Sequence, residues 1–437
     1  MMIRRLIPIV VATAAFAAEP VAPTPPMGWN SWDSYGTTVT EAEVKANADY
    51  MAARLKPHGW QYIVVDIQWS EPNARAHGYR PNAELAMDAY GRLIPAPNRF
   101  PSSAEGRGFG PLADYIHSKG LKFGIHIMRG IPRRAVAANL PVFGSSVRAA
   151  DIADPNSTCR WNTDMYGVDM SKPGGQDYYD SILRLYDDWG VDFIKADDIA
   201  RPFHGPEIAA LHRAIEKTGR PIVLSLSPGP ADLNQAAFYA ANANMWRMWD
   251  DFWDRWPDLK AAFARMVPWS EHVKPGGWPD ADMLPLGRIG IRAERGDDRQ
   301  TRFTHDEQRT LMSLWSIFRS PLMFGGDLPS NDDWTLGLIT NDEVLAANQK
   351  GDHPRQVFAK GDAIAWTSDA GPNARYLAVF NLADAAPADI PVEWKDLGLS
   401  GNCNVRDLWE KKESGASANS YTFHVPPHGA VMVKVSR

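Results

Sequence analysis

Lys195, Asp197 and Asp198 close a short apolar run, Gly190 to Ala196, and their side chains could bind, attack or hold a proton. Four to eight apolar residues cut off by polar ones read as a buried parallel strand, and ligands gather where such strands end. The pattern recurs. Tyr62-Ile63-Val64-Val65 runs into Asp66, Leu121 to Ile127 carries His126, Met245-Trp246 runs into Arg247, and Gly276 to Met283 carries Asp282. Asp66, His126, Lys195, Asp197, Arg247, Asp251 and Asp282 are therefore expected on one face. Such a carboxylate-rich set suits glycoside hydrolysis or a hard metal ion. Two carboxylates about 5 to 5.5 Å apart let one attack the anomeric carbon while the other protonates the leaving oxygen. A divalent cation would need converging oxygens, which Asp197-Asp198 and Asp280-x-Asp282 could supply, but Lys195 and Arg247 would oppose it.

Lys195 lies two residues before Asp197, so on a strand both side chains share a face. A cation there keeps Asp197 ionised, as a nucleophile requires. Arg247 precedes Asp251 by four positions and can orient a carboxylate or a sugar hydroxyl. Asp251 sits in sequence among Trp246, Trp249, Phe252, Trp253 and Trp256. Aromatic surroundings would disfavour its charged form, which suits a general acid. Asp250 and Asp254 are close enough that spacing alone does not choose among the three.

The elements that must position these residues alternate. Apolar runs at Met27–Trp29, Tyr62–Asp66, Leu121–Ile127, Phe193–Asp197, Pro221–Ser225, Met245–Arg247, Gly277–Met283 and Pro321–Gly325 are separated by helical stretches. Among those stretches are Val39–Pro57, opened by a Thr40/Glu43 capping box, Gly175–Trp189, Gly205–Thr218 and Asp306–Arg319. Eight such repeats close a (β/α)8 TIM barrel. A doubly wound open sheet competes, yet no Gly-rich phosphate turn follows an early strand. From about Gly351 the texture changes to short strands broken by Gly, Pro, Asp and Asn, which predicts an antiparallel β-sandwich. The expected division is an N-terminal address over 1–17, a barrel over 18–350 and the β domain over 351–437.

Arg4 and Arg5 before the apolar Leu6–Phe16, then Ala15-Phe16-Ala17, have the form of an export signal, which predicts a secreted or periplasmic protein. That run is too short to span a bilayer and no later window replaces it, so no membrane partner is expected. The formal net charge is −6 and no Lys/Arg stripe is present, which argues against nucleic acid. The two cysteines, Cys159 and Cys403, cannot build a disulfide framework, and nothing in the sequence supports a bridge between them. The 17 tryptophans suit both sugar faces and ordinary cores.

Gly28-Trp29-Asn30-Ser31-Trp32, Gly120 to Ile125, Lys195-x-Asp197, Trp246-Arg247 with Asp251, Asp280-x-Asp282-Met283-Leu284 and Asn341-x5-Ala347-Asn348-Gln349 together resemble glycoside hydrolase family 27. That family holds α-galactosidases, α-N-acetylgalactosaminidases and β-L-arabinopyranosidases. The resemblance runs from about Pro25 to Gln349. It implies a barrel, a C-terminal antiparallel β domain and a retaining double displacement without a cofactor or metal. It places Asp197 on the nucleophile and Asp251 on the acid/base, with Trp29, Asp66, Lys195, Arg247 and Asp282 lining the sugar pocket.

Four positions depart from the family pattern. Where α-galactosidases of the family carry two adjacent aspartates, this chain has Asp66-Ile67, and isoleucine cannot accept a hydrogen bond from a C6 hydroxyl. β-L-Arabinopyranose has the ring geometry of α-D-galactose without the hydroxymethyl group. His126 stands where tyrosine is usual, and Ile199 replaces a cysteine, so the family disulfide at that site is absent. Ser227 falls where many α-galactosidases have glutamate. A small residue there leaves room for an acetamido group, although a loop variant explains it better. The expected activity is removal of a terminal α-D-galactopyranosyl unit from an oligosaccharide or polysaccharide side chain. β-L-Arabinopyranosyl is the close rival, and α-N-acetylgalactosaminyl is a weaker one. A sugar-binding protein without turnover is the alternative of a different class, and possession of both Asp197 and Asp251 speaks against it.

Overall fold

The computed structural model describes residues 20–437, so the expected export signal lies outside the described residues. Eight parallel strands form one sheet: β1 (Met27–Asn30), β2 (Tyr62–Val65), β3 (Lys122–Met128), β4 (Phe193–Asp197), β5 (Val223–Leu226), β6 (Met245–Arg247), β7 (Trp278–Asp280) and β8 (Leu322–Phe324). They neighbour one another in chain order from β1 to β7, with β8 on the other side of β1. A parallel bridge between Leu284 and Phe324 joins the β7 and β8 ends, closing the barrel. Every residue of β1, β2, β5, β6, β7 and β8 is buried, which is why these strands read as continuous apolar runs.

The helices follow the expected caps. Thr40 accepts from the backbone of Glu43 while Glu43 Oε2 accepts from Thr40 N at 2.9 Å, so the capping box opens helix Glu41–Tyr50. Thr304 and Glu307 repeat the device before helix His305–Phe318. Between β3 and β4 the chain makes an excursion, a small antiparallel sheet of Ile131–Pro132, Ala153–Thr158 and Met165–Val168, that its polar sequence did not announce.

The C-terminal region is a six-stranded antiparallel sheet faced by the hairpin-like pair Ala388–Glu393 and Ser420–Val425. Leu377, Val379, Ile390, Val392, Trp394, Phe423 and Val433 fill the space between them. The other face of the large sheet packs on helix His305–Phe318, and Trp366, Phe380 and Met432 join the core of the barrel. Thr310 Oγ1 donates to the His428 carbonyl at 2.7 Å, and Asn341 Nδ2 to that of Leu408 at 2.9 Å. Cys159 and Cys403 are both free, each buried in a separate core cluster. Among the described residues no helix is long and apolar enough to cross a membrane.

Candidate active site

A cavity of about 250 Å³ opens at the carboxyl ends of the barrel strands, lined by Asp66, Ile67, Lys195, Asp197 and Asp251 among others. Register explains how they meet. His126 on β3 lies opposite Lys195 on β4, and Lys195 opposite Ser225 on β5. With two-residue periodicity, Lys195 and Asp197 then face the barrel axis together.

Asp66 and Asp197 share a cationic setting. Lys195 Nζ donates to Asp66 Oδ2 at 2.8 Å, and Asn30 Nδ2 donates to the same oxygen at 2.7 Å. His126 Nε2 lies 3.1 Å from Asp197 Oδ2 and 4.0 Å from Asp66 Oδ1. An ionised carboxylate only accepts, so Nε2 carries the proton of that contact. The backbone N–H of Asp198 donates to Asp197 Oδ1 at 2.9 Å. Burial alone would raise the Asp197 carboxyl, but His126, Lys195 and the Asp198 N–H hold it well below the usual carboxylate range. The same balance, with Lys195 and His126 outweighing burial, holds Asp66 below its ordinary value. Burial pulls Lys195 down, yet Asp66 and Asp197 leave it above the usual lysine range.

Asp198 itself adopts a left-handed backbone (φ 55°), a strained conformation for a non-glycine residue. Arg129 holds it there. Its Nε donates to the Asp198 carbonyl at 2.7 Å and its Nη2 to Asp198 Oδ2 at 2.8 Å. Nη1 reaches Glu207 Oε1 at 2.8 Å and Ser157 Oγ at 3.0 Å, and the Tyr179 hydroxyl donates to the other Glu207 oxygen. None of these four supporting residues was singled out in the sequence: Arg129 directly follows β3 but its partners are remote, and Ser157, Tyr179 and Glu207 lie outside the barrel strands.

The opposite wall is built around Arg247, whose Nη2 lies 3.0 Å from both Asp251 Oδ1 and Asp282 Oδ2. Asp282, also left-handed (φ 73°), accepts the backbone N–H of Phe252 at 2.7 Å, which fixes the residue after Asp251. Asp280 Oδ1 in turn accepts the Asp282 N–H at 2.9 Å. Burial, and then the neighbouring Asp282, push the Asp280 carboxyl up to about 7 against the pull of Arg247. Gly229 lets its loop touch this wall, since a Cβ there would fall 2.1 Å from the Trp249 carbonyl oxygen.

Geometry separates the three neighbouring aspartates. Asp254 is buried against Arg299 at 2.7 Å, and Asp250 pairs with Arg201 at 2.5 Å on the rim. Asp251 faces the cavity with its side chain 35 % exposed. The aromatic cage expected around it lies behind it instead, because Trp246, Trp249, Phe252 and Trp253 turn into the core. Trp29 is wholly buried, with its indole N–H on the Gly326 carbonyl at 2.8 Å, and Trp32 is the ring of that motif that lines the cavity. Ser227 is buried with an unpartnered hydroxyl; its neighbour Pro228 lines the cavity and Ser227 does not. His126, Arg247 and Asp282 stand one layer back, each touching a cavity carboxylate or its partner. Tyr79, Trp161, Arg201, Glu294 and Arg295 complete the lining from loops whose sequence gave no signal.

A barrel mouth with two carboxylates in such different settings, one among Lys195 and His126 and one open to the cavity, is an arrangement that glycoside hydrolysis can use. Residues 24–172 and 163–350 match the alpha galactosidase A family, and residues 360–435 match the alpha galactosidase C-terminal beta sandwich domain. The chain therefore belongs to the melibiases, glycoside hydrolase family 27. It is 27 % identical to alpha-galactosidase 2 of Arabidopsis thaliana over 424 residues, which cover 95 % of this chain and 90 % of that protein. A crystal structure of a β-L-arabinopyranosidase variant from Geobacillus stearothermophilus, in complex with arabinose, is 56 % identical with a TM-score of 0.93, over 95 % of this chain and 98 % of that one. A structure from Bacillus halodurans C-125, provisionally assigned as an α-N-acetylgalactosaminidase, is 49 % identical with a TM-score of 0.86, over 96 % of this chain and all of that one.

Proposed function

We propose that the protein is a retaining exo-glycosidase that removes terminal β-L-arabinopyranosyl units, with α-D-galactopyranosyl as a slower substrate. The observation that carries this is Ile67, which lines the cavity directly beside Asp66. Its side chain is apolar and its backbone N–H is spent on Asp66 Oδ1 at 2.8 Å. A hydroxymethyl group placed there would lose its hydrogen bonds to water without gaining one from Ile67, whereas a pentopyranose presents only a C–H edge. The high identity to the Geobacillus arabinopyranosidase supports the same order. The α-galactosidases among the relatives support retained activity on the hexose.

In the first half-reaction Asp197, held ionised, attacks C1 while Asp251 gives its proton to the leaving oxygen. Asp251 then takes a proton from water as that water displaces Asp197. Lys195 and Asp66 are spaced to grip ring hydroxyls. The Arg4-Arg5 and Leu6–Phe16 pattern supports delivery of this activity to the periplasm or the medium.

The test is kcat/KM on p-nitrophenyl β-L-arabinopyranoside against p-nitrophenyl α-D-galactopyranoside, for the wild type and Ile67→Asp. The arabinoside is expected to be favoured, and the substitution to swing the ratio toward galactoside by about tenfold or more. A wild type that prefers galactoside, with a ratio indifferent to position 67, overturns the assignment. Proton NMR of the first-formed sugar is expected to show the substrate's own anomeric configuration, and the inverted anomer would remove Asp197 as nucleophile.

A further inference from the structure

All 17 tryptophans lie in the described residues, and Trp161 alone among them is exposed, at 39 %. It stands at the mouth of the catalytic cavity. A single exposed indole is ordinary on a protein surface, but one stacked on a ladder of cavity-lining rings at the mouth of a sugar-sized cleft presents a flat apolar face of the kind that packs on a pyranose. Trp161 ends a ladder of rings climbing one wall. Trp32 on the floor stacks on Tyr79 at 5.9 Å between centroids, and Tyr79 meets Trp161 at 5.4 Å.

The ring is also held in place. Its loop joins strands Ala153–Thr158 and Met165–Val168 of the excursion. The next residue, Asn162, is buried and accepts the Asp164 N–H at 2.8 Å; Asp164 is held by Gln68 from the end of β2. Thr163 Oγ1 accepts the Asn82 N–H at 2.8 Å, fastening the loop to the segment that carries Tyr79. A platform ordered before ligand arrives costs little entropy on binding. The cavity mouth also carries the exposed Arg201–Asp250 pair, whose donors and acceptors suit hydroxyl groups.

Resting on the glycosidase reading above, we propose that Trp161 is the platform of an acceptor subsite, stacking against the pyranose ring to which the departing sugar is joined. The deep part of the cavity, from Asp66 and Ile67 to Asp197, takes the sugar that is removed. The outer part, from Tyr79 and Trp161 to Arg201 and Asp250, takes its neighbour. The substrate class is then an oligosaccharide or glycan side chain with the terminal unit on a second pyranose, rather than a simple alkyl glycoside.

The test compares two substrates of the wild type, Trp161→Ala and Trp161→Phe. One is a disaccharide in which β-L-arabinopyranose is joined to a second pyranose. The other is β-L-arabinopyranosyl fluoride, which has no ring beyond the cleaved bond. Trp161→Ala is expected to lower kcat/KM on the disaccharide about tenfold, with Phe restoring most of it, and to leave the fluoride within about twofold. Equal losses on both substrates, or none on the disaccharide, overturn the platform. A wild type inactive on both, yet active on the matching galactosides, overturns the arabinoside reading instead, and the same ratio taken on the galactosides then decides the platform.

Discussion

The two walls of the cavity handle charge in opposite ways. On the β2–β4 wall, Asp197 is 14 % exposed and its surroundings favour the anion: the hydrogen bonds from His126 and the Asp198 N–H, and the nearby charge of Lys195. On the β6–β7 wall, Asp251 sits on a loop after its strand, more than twice as exposed, and touches one cation that it shares with Asp282. A nucleophile must not pick up a proton; an acid/base must exchange one in each half-reaction. A strand end packed with donors suits the first task, and a loop in reach of water suits the second.

Removing each carboxylate separates the walls most sharply. Asp197→Ala is expected to abolish turnover on every leaving group. Asp251→Ala should lower kcat/KM by about 10² to 10⁴ on a disaccharide while sparing an activated dinitrophenyl glycoside, with added azide restoring rate. Similar losses for both variants on both leaving groups would erase the distinction.

A smaller effect tests the Asp197 wall alone. His126→Phe removes a donor that favours ionised Asp197, so the Asp197 carboxyl should titrate at higher pH. The acid limb of the kcat/KM profile is therefore expected to move up in pH, with a loss that grows as pH falls and little change at about pH 7. An unmoved limb would mean that Lys195 and the Asp198 N–H suffice.

The last effect belongs to the Asp251 wall and concerns stability rather than turnover. Asp280 has a folded-state carboxyl near 7, above its unfolded value, so between about pH 4 and 7 the folded protein binds more protons and loses stability as pH rises. Relative to Asp280→Asn, the wild type should lose at most about 4 kcal/mol over that interval, read from urea midpoints at several pH values. Parallel curves for the two proteins would remove Asp280 as the source.

The barrel was legible because buried parallel strands cannot hide: each apolar run from Met27 to Phe324 became a strand of the eight. The carboxylates at their ends were legible for the same reason. Spacing alone did not choose Asp251 over Asp250 and Asp254, since partners such as Arg299 and Arg201 come from distant loops; the resemblance did. Trp29 and Trp32 are three residues apart in one motif, and only the tertiary path at the end of β1 decides which ring is sealed in the core. Nor could spacing reveal Arg129, whose role depends on Asp198 and Glu207, 69 and 78 residues away.

That Arg129 knot joins two properties that are usually altered separately. Ser157 Oγ receives one of its hydrogen bonds, and the Val168 N–H donates to Glu207 at 3.2 Å, so both strands flanking the Trp161 loop are tied into the support of Asp198, the neighbour of Asp197. Loop exchange between relatives, aimed only at which glycan is accepted, would therefore also shift Asp197. Grafts that keep Ser157 and Val168 and vary only what lies between Cys159 and Asp164 are the ones that can change partner choice without slowing the chemistry.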